Sequence, residues 1–423
     1  KSIMKKNIQI LGIVSILSLQ VLAQDVLVID GGSIHVTNNG LITVKGGVVN
    51  QNSGTIDNSG DINVSGDWTN NGGNTMLVNN SVGSVTLDGT SQVIKGNSIT
   101  DFYNLKLTGG SSVKTMELDA NVSNELDLGD EELQTNANTI YVNNPGTGAI
   151  LWNTGYVNSD SLGGYLARAT NSTSTYTFPV GSSLLSNTYR PVFLNPTSTN
   201  ANVYGVRLSD ENPDTDNSGT SYSGAAGPFP VSSKEAQVRT INTEYYFNIA
   251  RLTGTDAADV QVDFFNADGN YQTLAQWSGA TSQWKGLDFD YLPSTTGAAL
   301  NSPDVSITKS SVTDFNHDVF ALAELEFEIE VPGGVSPNTD GFNDNFVIEN
   351  LEYFPENELV IFNRWGDVVY EASPYLNDWS GQVNGAMILA GEEVSDGTYF
   401  YVLKLSQDQE TDPLKGSFEL RRK

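Results

Sequence analysis

The chain has 423 residues, with 50 acidic against 21 basic side chains, a formal net charge of −29, and no cysteine. That charge argues against a nucleic-acid partner, whose phosphates it would repel, and favours basic partners or divalent cations. Without cysteine there are no disulfide staples, so stability has to come from core size, sheet hydrogen bonding or bound ions.

At the N-terminus, Lys5 and Lys6 precede the apolar stretch from Ile8 to Leu22, and Val21 and Ala23 are small residues at the −3 and −1 positions of a cleavage site. This pattern predicts a secretory signal peptide over 1–23 and a mature chain beginning at Gln24. No other stretch reaches the length of a membrane-crossing helix, so no transmembrane segment is expected in the mature chain.

Residues 24–150 read as a repeat region. Short apolar pairs recur every six to eight residues at first: Ile34/Val36, Ile42/Val44, then Ile56 and Ile62/Val64. Turns such as Asn39-Gly40, Ser53-Gly54 and Ser59-Gly60 separate them. Strands this short are not stable as isolated hairpins, but as faces of stacked coils they bury one continuous core. The spacing therefore predicts a β-solenoid with these residues pointing inward. Recurring Asn38, Asn50, Asn58 and Asn70 are candidates for side-chain ladders between coils. An irregular β-sandwich with Asn-Gly hairpins is the competing architecture. The stretch 110–175 reads as the capping end of the repeats, with 162–176 a Ser/Thr/Asn-rich loop.

Residues 151–330 read as an independent β-sandwich. Its strand candidates are 176–181, 189–192, 245–249, 260–264 and 315–322, with Trp277 and Trp284 nearby. Residues 209–234, rich in Ser, Gly, Pro and Asp, read as an exposed loop. The segment 324–330, where Leu325, Phe327 and Ile329 alternate with glutamates, reads as a strand or charged linker.

Residues 331–423 read as a small β-sandwich. Leu359 and Ile361, then Val368 to Tyr370, flank a turn at Gly366-Asp367, which predicts a hairpin. Tyr399, Tyr401, Leu403 and Leu405 share one strand face behind an Asp396-Gly397 turn, and Phe418 and Leu420 alternate in a final strand. Trp365, Trp379 and Tyr399 are read as core. Four blocks stand out in order: SPNTDGFNDNF at 336–346, LVIFNRWGDVVYE at 359–371, NDWSG at 377–381 and SDGTYFYVLKL at 395–405. Together with the terminal GSFELRRK they resemble the gliding-motility-associated C-terminal domain, the type B sorting domain of the type IX secretion system. The stretch 382–394 is longer than in that family. The resemblance implies an export address, with the type IX translocon as partner, on a protein of the extracellular or outer-membrane surface of a Bacteroidetes-type bacterium. The YTFPVG and YRPV segments of the central region are similar to modules placed before such sorting domains, which implies a surface-presented sandwich and no chemistry.

Chemistry is sparsely represented. His35 and His317 are the only histidines, no G-x-S-x-G elbow accompanies them, and zinc lacks its usual ligands. Both histidines are read as surface residues. Calcium is the ion to consider: Asn338, Asp340, Asn343 and Asp344 offer hard oxygens around Gly341. The competing reading is an Asx-turn loop. Asp214 and Asp216 begin an EF-hand-like loop that lacks its closing glutamate, since Ala225 stands there. The sequence is thus expected to encode an all-β, non-enzymatic surface protein for adhesion or structural presentation, with surface glycans or other surface proteins as partners. A polysaccharide-binding or polysaccharide-cleaving β-helix enzyme is the alternative.

Overall fold

The computed structural model describes residues 8–10, 13–21, 26–78, 81–159, 163–217, 224, 226–287, 294–295, 303–326, 328–354, 356–384, 393–405 and 413–422, with backbone alone for 8–10, 13–21 and 294–295. They form two compact units, Lys1–Leu325 and Glu326–Lys423.

The first unit opens with a β-solenoid of about six turns. On one face Leu27–Asp30, Val48–Gln51, Trp68–Asn71, Ser91–Gly96, Val113–Met116, Glu132–Gln134 and Tyr156–Asn158 stack in parallel. On the other, Ser33–Val44 leads through Asp61–Val64, Ser84–Leu87, Thr100–Leu107 and Ala120–Asp127 to Thr139–Val142 and Tyr165–Thr170. Leu41 pairs with Asp61 and Thr100 with Ala120, so one coil takes about twenty residues. The six-to-eight-residue bursts are the faces within a coil. Ser33–Val44 turns a corner at Asn39, where φ is 62°, and so pairs with both Thr55–Asn58 and Asp61–Val64.

The inward row is the one the alternation predicts. Ile34, Val36, Ile42, Val44, Ile56, Ile62 and Val64 are each no more than 1% exposed. Trp68 fills the wider middle coils, its ring 5.5 Å from Phe102 and its indole N–H donating to Thr100 Oγ1 at 3.2 Å. Asn50 and Asn70 form a buried rung at 3.2 Å. Asn58 is buried but serves the Gly60 amide and the Ser84 carbonyl, and Asn38 is exposed. A second ladder links Asn104, Asn124 and Asn144 at 2.7 and 3.4 Å. Within the segment read as a leader, Ile8–Ile10 and Ile13–Val21 lie in parallel register with Leu27–Asp30 and Ser33–Val44. An apolar β-branched run beside an open strand edge satisfies its amides in this way.

The solenoid passes into the sandwich without a break. Tyr165–Thr170 has Thr139–Val142 as parallel partner on one side and Asn202–Ser209 as antiparallel partner on the other. The sheet then continues through Tyr246–Thr253, Val319–Leu325, Thr273–Ser278 and Gln283–Gly286. A second sheet orders Tyr176–Phe178, Val192–Pro196, Ala258–Phe264, Val305–Val312 and Ser294–Thr295. One apolar cluster runs through both regions, from Leu27 to Leu322.

Two expectations are corrected here. The stretch 162–176 is not a loop throughout: Tyr165–Thr170 is a buried strand at the junction, held on both sides, and only the following Ser/Thr-rich residues turn. The segment 209–234 is not simply exposed. Phe229 is buried edge-on against Tyr246, Trp277 and Trp284, at centroid distances of 5.7, 5.5 and 6.4 Å, and the Trp284 indole donates to its carbonyl at 3.2 Å. One large aromatic anchors an otherwise polar loop because the sheet face beneath it is aromatic.

Close coil approach makes particular glycines obligatory. A Cβ at Gly60 would overlap the Gly40 carbonyl oxygen of the preceding coil, whereas at Gly148 nothing lies within 4 Å. Gly60→Ala should therefore destabilise the chain by roughly 1–3 kcal/mol, the ordinary cost of overpacking. Gly148→Ala should stay within about 0.5 kcal/mol of the parent. Thermal and denaturant unfolding of the two variants checks this.

Candidate functional site

The second unit is a five-stranded sheet ordered Gly334–Val335, Leu414–Leu420, Gly397–Lys404, Glu358–Phe362 and Val368–Ala372. All pairings are antiparallel except that of Gly334–Val335 with Leu414–Leu420. It has its own core. Trp379 is its hub, with ring centroids of Phe418, Tyr370, Phe346 and Tyr399 at 5.5 to 6.2 Å. Its indole N–H donates to the Gln382 carbonyl at 2.8 Å, which satisfies the one polar atom the burial would strand. Tyr375 locks the same region: its hydroxyl donates to the Phe346 carbonyl at 2.6 Å and accepts the Trp379 amide at 3.2 Å. Burial pushes the Tyr375 phenol well above its ordinary pKa.

The sequence blocks divide between this core and the surface. Phe346, Leu359, Ile361, Trp379, Tyr399 and Phe418 are buried. Trp365 is the exception among the expected core residues: it is 72% exposed. It sits at the tip of the hairpin, where Asn363 Oδ1 accepts the Trp365 and Asp367 amides at 2.9 and 3.0 Å and Gly366 has φ of 87°. The Arg364 guanidinium lies over its ring at 4.4 Å. An Asn-x-x-Gly turn projects its middle residues outward, and that local signal outweighs the hydrophobicity of the indole. Phe342, Leu376 and Phe400 are also exposed, at 76, 73 and 44%.

The loop of Asn338, Asp340, Asn343 and Asp344 is brought together, and its oxygens are spent on the chain itself. Asp344 Oδ1 accepts the Asn338 and Thr339 amides at 3.1 and 2.7 Å, and Oδ2 accepts the Gly341 amide at 2.9 Å. Asp340 Oδ1 accepts the Phe342 amide at 2.8 Å, and Oδ2 accepts Asn338 Nδ2 at 2.9 Å. The Asn343 carbonyl accepts the Ser336 amide at 2.7 Å. Left-handed backbone at Thr339, Gly341 and Asn343 turns these amides inward. The Gly341 amide first, then those of Thr339 and Asn338, hold the Asp344 carboxyl below its ordinary pKa. A calcium ion here would have to share these oxygens with the amides. Among the described residues no group of three or more His, Cys, Asp or Glu side chains is placed to hold a metal.

The other singled-out residues lie apart. Asp216 is buried, accepting the Tyr246 hydroxyl at 2.7 Å, while Asp214 accepts the Val231 amide at 3.0 Å. Ala225 lies outside the described residues. His35 pairs with Asp57 at 2.8 Å and His317 with Asp314 at 2.6 Å, both part-exposed. Among the described residues no helix is long and apolar enough to cross a membrane, which says nothing of β-barrels.

The four blocks, their order and the five-stranded unit that carries them coincide with one family. Residues 329–420 match the CHU_C Type IX secretion signal domain. No curated protein and no solved structure matches the chain. The type IX secretion signal domain thus spans nearly all of the second unit, and its buried blocks build the fold while its exposed ones form the hairpin tip and the 336–344 loop.

The Asp344 carboxyl, carbon-labelled and followed by NMR in the full chain, should titrate below the ordinary 3.8. Because the folded value is depressed, its stabilising contribution is present above the unfolded pKa and is lost as pH falls through the folded one. A midpoint at or above the ordinary value would remove the amide cage as the cause. Calcium at this loop requires a thermal midpoint that rises with millimolar calcium over chelator, and a rise that disappears in Asp340→Asn.

Proposed function

We propose that this is a non-enzymatic cell-surface protein of structural or adhesive role, whose solenoid and sandwich are the cargo and whose type IX secretion signal domain is the address. The signal domain marks the chain for export by the type IX system, to the cell surface or the medium. The observation that carries the reading is the separation of the two units, each with its own core. On this reading the signal is recognised independently of what it is attached to. The cargo suits presentation outside the cell. It is cysteine-free and strongly acidic, and its coils satisfy one another's backbone groups, so that it needs no redox chemistry to hold together.

Surface recognition requires exposed residues, so the exposed half of the signal blocks is the half read by the secretion apparatus. In a producing strain, removal of residues 326–423 should leave the cargo in the periplasm. The same segment fused behind a signal-peptide-bearing reporter should carry the reporter out. Paired Trp365→Ala and Phe342→Ala changes should reduce surface delivery several-fold while leaving the melting temperature within a few degrees, since neither side chain is in the core. Cell fractionation and protease accessibility measure all three. Surface exposure of the truncated chain would defeat the proposal.

A further inference from the structure

The first unit carries a built groove that the export reading does not use. Where the last coils meet the start of the sandwich, two hollows of about 540 and 560 Å³ lie side by side. They share Asp130, Trp152 and Asn153 as a common ridge. Each hollow falls within the volume range of small-ligand sites. We propose that this double groove binds a neutral oligosaccharide, with Trp152 as its central platform.

Three properties point to that ligand class. The first is the set of aromatic faces. Trp152, Tyr189 and Phe265 line the second hollow, and all three remain half-buried. Burial raises the Tyr189 phenol well above its ordinary pKa. Flat, rigid rings with one apolar face match the C–H face of a pyranose.

The second property is a row of immobilised hydrogen-bond acceptors. Asp127, Asp130 and Glu131 line one hollow, and Asp130 and Glu132 the other. Each is already oriented by the protein. Asp130 Oδ1 accepts the Thr154 hydroxyl at 2.9 Å. Glu131 accepts the Gly110 and Ser112 amides at 2.8 and 2.6 Å. Glu132 accepts the Tyr156 hydroxyl at 3.0 Å and Asn158 Nδ2 at 2.8 Å. A carboxylate has about four acceptor sites, so exposed Asp130 retains capacity for the hydroxyl donors of a sugar, while Glu131 and Glu132, 2 and 8% exposed, hold the wall behind it. The only basic residue among the lining side chains is Lys106, paired with Asp127 at 2.9 Å. An anionic polymer is therefore repelled. A basic peptide is the rival occupant, since cations also stack on aromatic faces, and the hexalysine comparator of the test separates the two.

The third property is the investment in rigidity behind the wall. Arg190, 1% exposed, forks onto Asp268 at 2.7 and 2.8 Å. Its guanidinium lies 4.4 Å from the Phe265 ring centroid, and it donates to the Asn187 and Tyr189 carbonyls at 2.5 and 3.1 Å. One buried cation thus fixes Asn187, Tyr189 and Phe265, all of them lining residues. Preorganised aromatics lower the ordering cost of binding.

The test uses the purified full chain, so that its failure leaves the export reading untouched. The probes are neutral hexasaccharides from glucan, xylan, mannan and galactan, with hexagalacturonate and hexalysine as charged comparators, followed by calorimetry and tryptophan fluorescence. Binding of at least one neutral hexasaccharide is expected, weakened about tenfold or more in Trp152→Ala. The exposed position Asp130→Asn should weaken it several-fold without touching the fold, and Trp365→Ala, in the other unit, should leave it unchanged. No binding of any neutral probe, equal binding by the parent and both groove variants, or binding confined to a charged comparator would each overturn the proposal.

Discussion

The structure depends on one constraint: every coil face presents a row of unpaired backbone amides and carbonyls that only a neighbouring coil in parallel register can satisfy. A four-residue strand has no stability alone, and a chain without cysteine cannot clamp it. Stacking supplies both the hydrogen bonds and the dry interior that Ile34, Val36, Ile62 and Val64 share. The same requirement explains the glycines at coil corners, because coils spaced for hydrogen bonding leave no room for a Cβ where their turns superimpose. It also explains the buried Asn50–Asn70 rung, which serves corner groups that the strands do not reach.

A solenoid must end somewhere, and an open last coil is an aggregation hazard. Here the last solenoid strand, Tyr165–Thr170, is also the first strand of the antiparallel sheet, so the edge is used up internally. Arg168 is buried in this strand. It donates to the Thr177, Gly146 and Thr147 carbonyls at 2.7, 3.0 and 3.0 Å and packs over Tyr176 at 5.0 Å. Burial lowers its pKa to about 10, so it remains charged at neutral pH, with carbonyl dipoles in place of a carboxylate partner. The charge thereby ties the last coil to the first strand of the opposing sheet.

Much of this was legible beforehand, and the reasons differ by element. The inward row was readable because β-branched residues alternate between glycine turns. The twenty-residue coil was not, because faces vary in length and Trp68 pairs with Ile94 while Val48 pairs with Trp68. Asn202–Ser209 and Val305–Val312 were missed because buried Arg207 and the polar run Thr308–Ser311 break the apolar pattern of strands whose pairing is fixed from outside. The signal domain was readable as linear blocks, yet which members face outward was not. Trp365 depends on an Asn363 turn, and hydrophobicity alone misplaces it. The 336–344 loop was readable as an oxygen cluster, but the amides that claim those oxygens come from backbone angles. The groove at Trp152 was invisible in the sequence, since its walls come from coil corners, the 186–189 loop and Phe265.

The coil step of about twenty residues has an evolutionary consequence. A gene that gains or loses one residue inside a face turns a core row outward, whereas one that gains or loses a whole coil leaves every register intact. Middle coils meet only their neighbours, so tandem duplication of a segment such as 61–83 would extend the stack without redesigning either end. Lineages carrying such cargo would then differ in stack length far more readily than in the architecture of the junction strand.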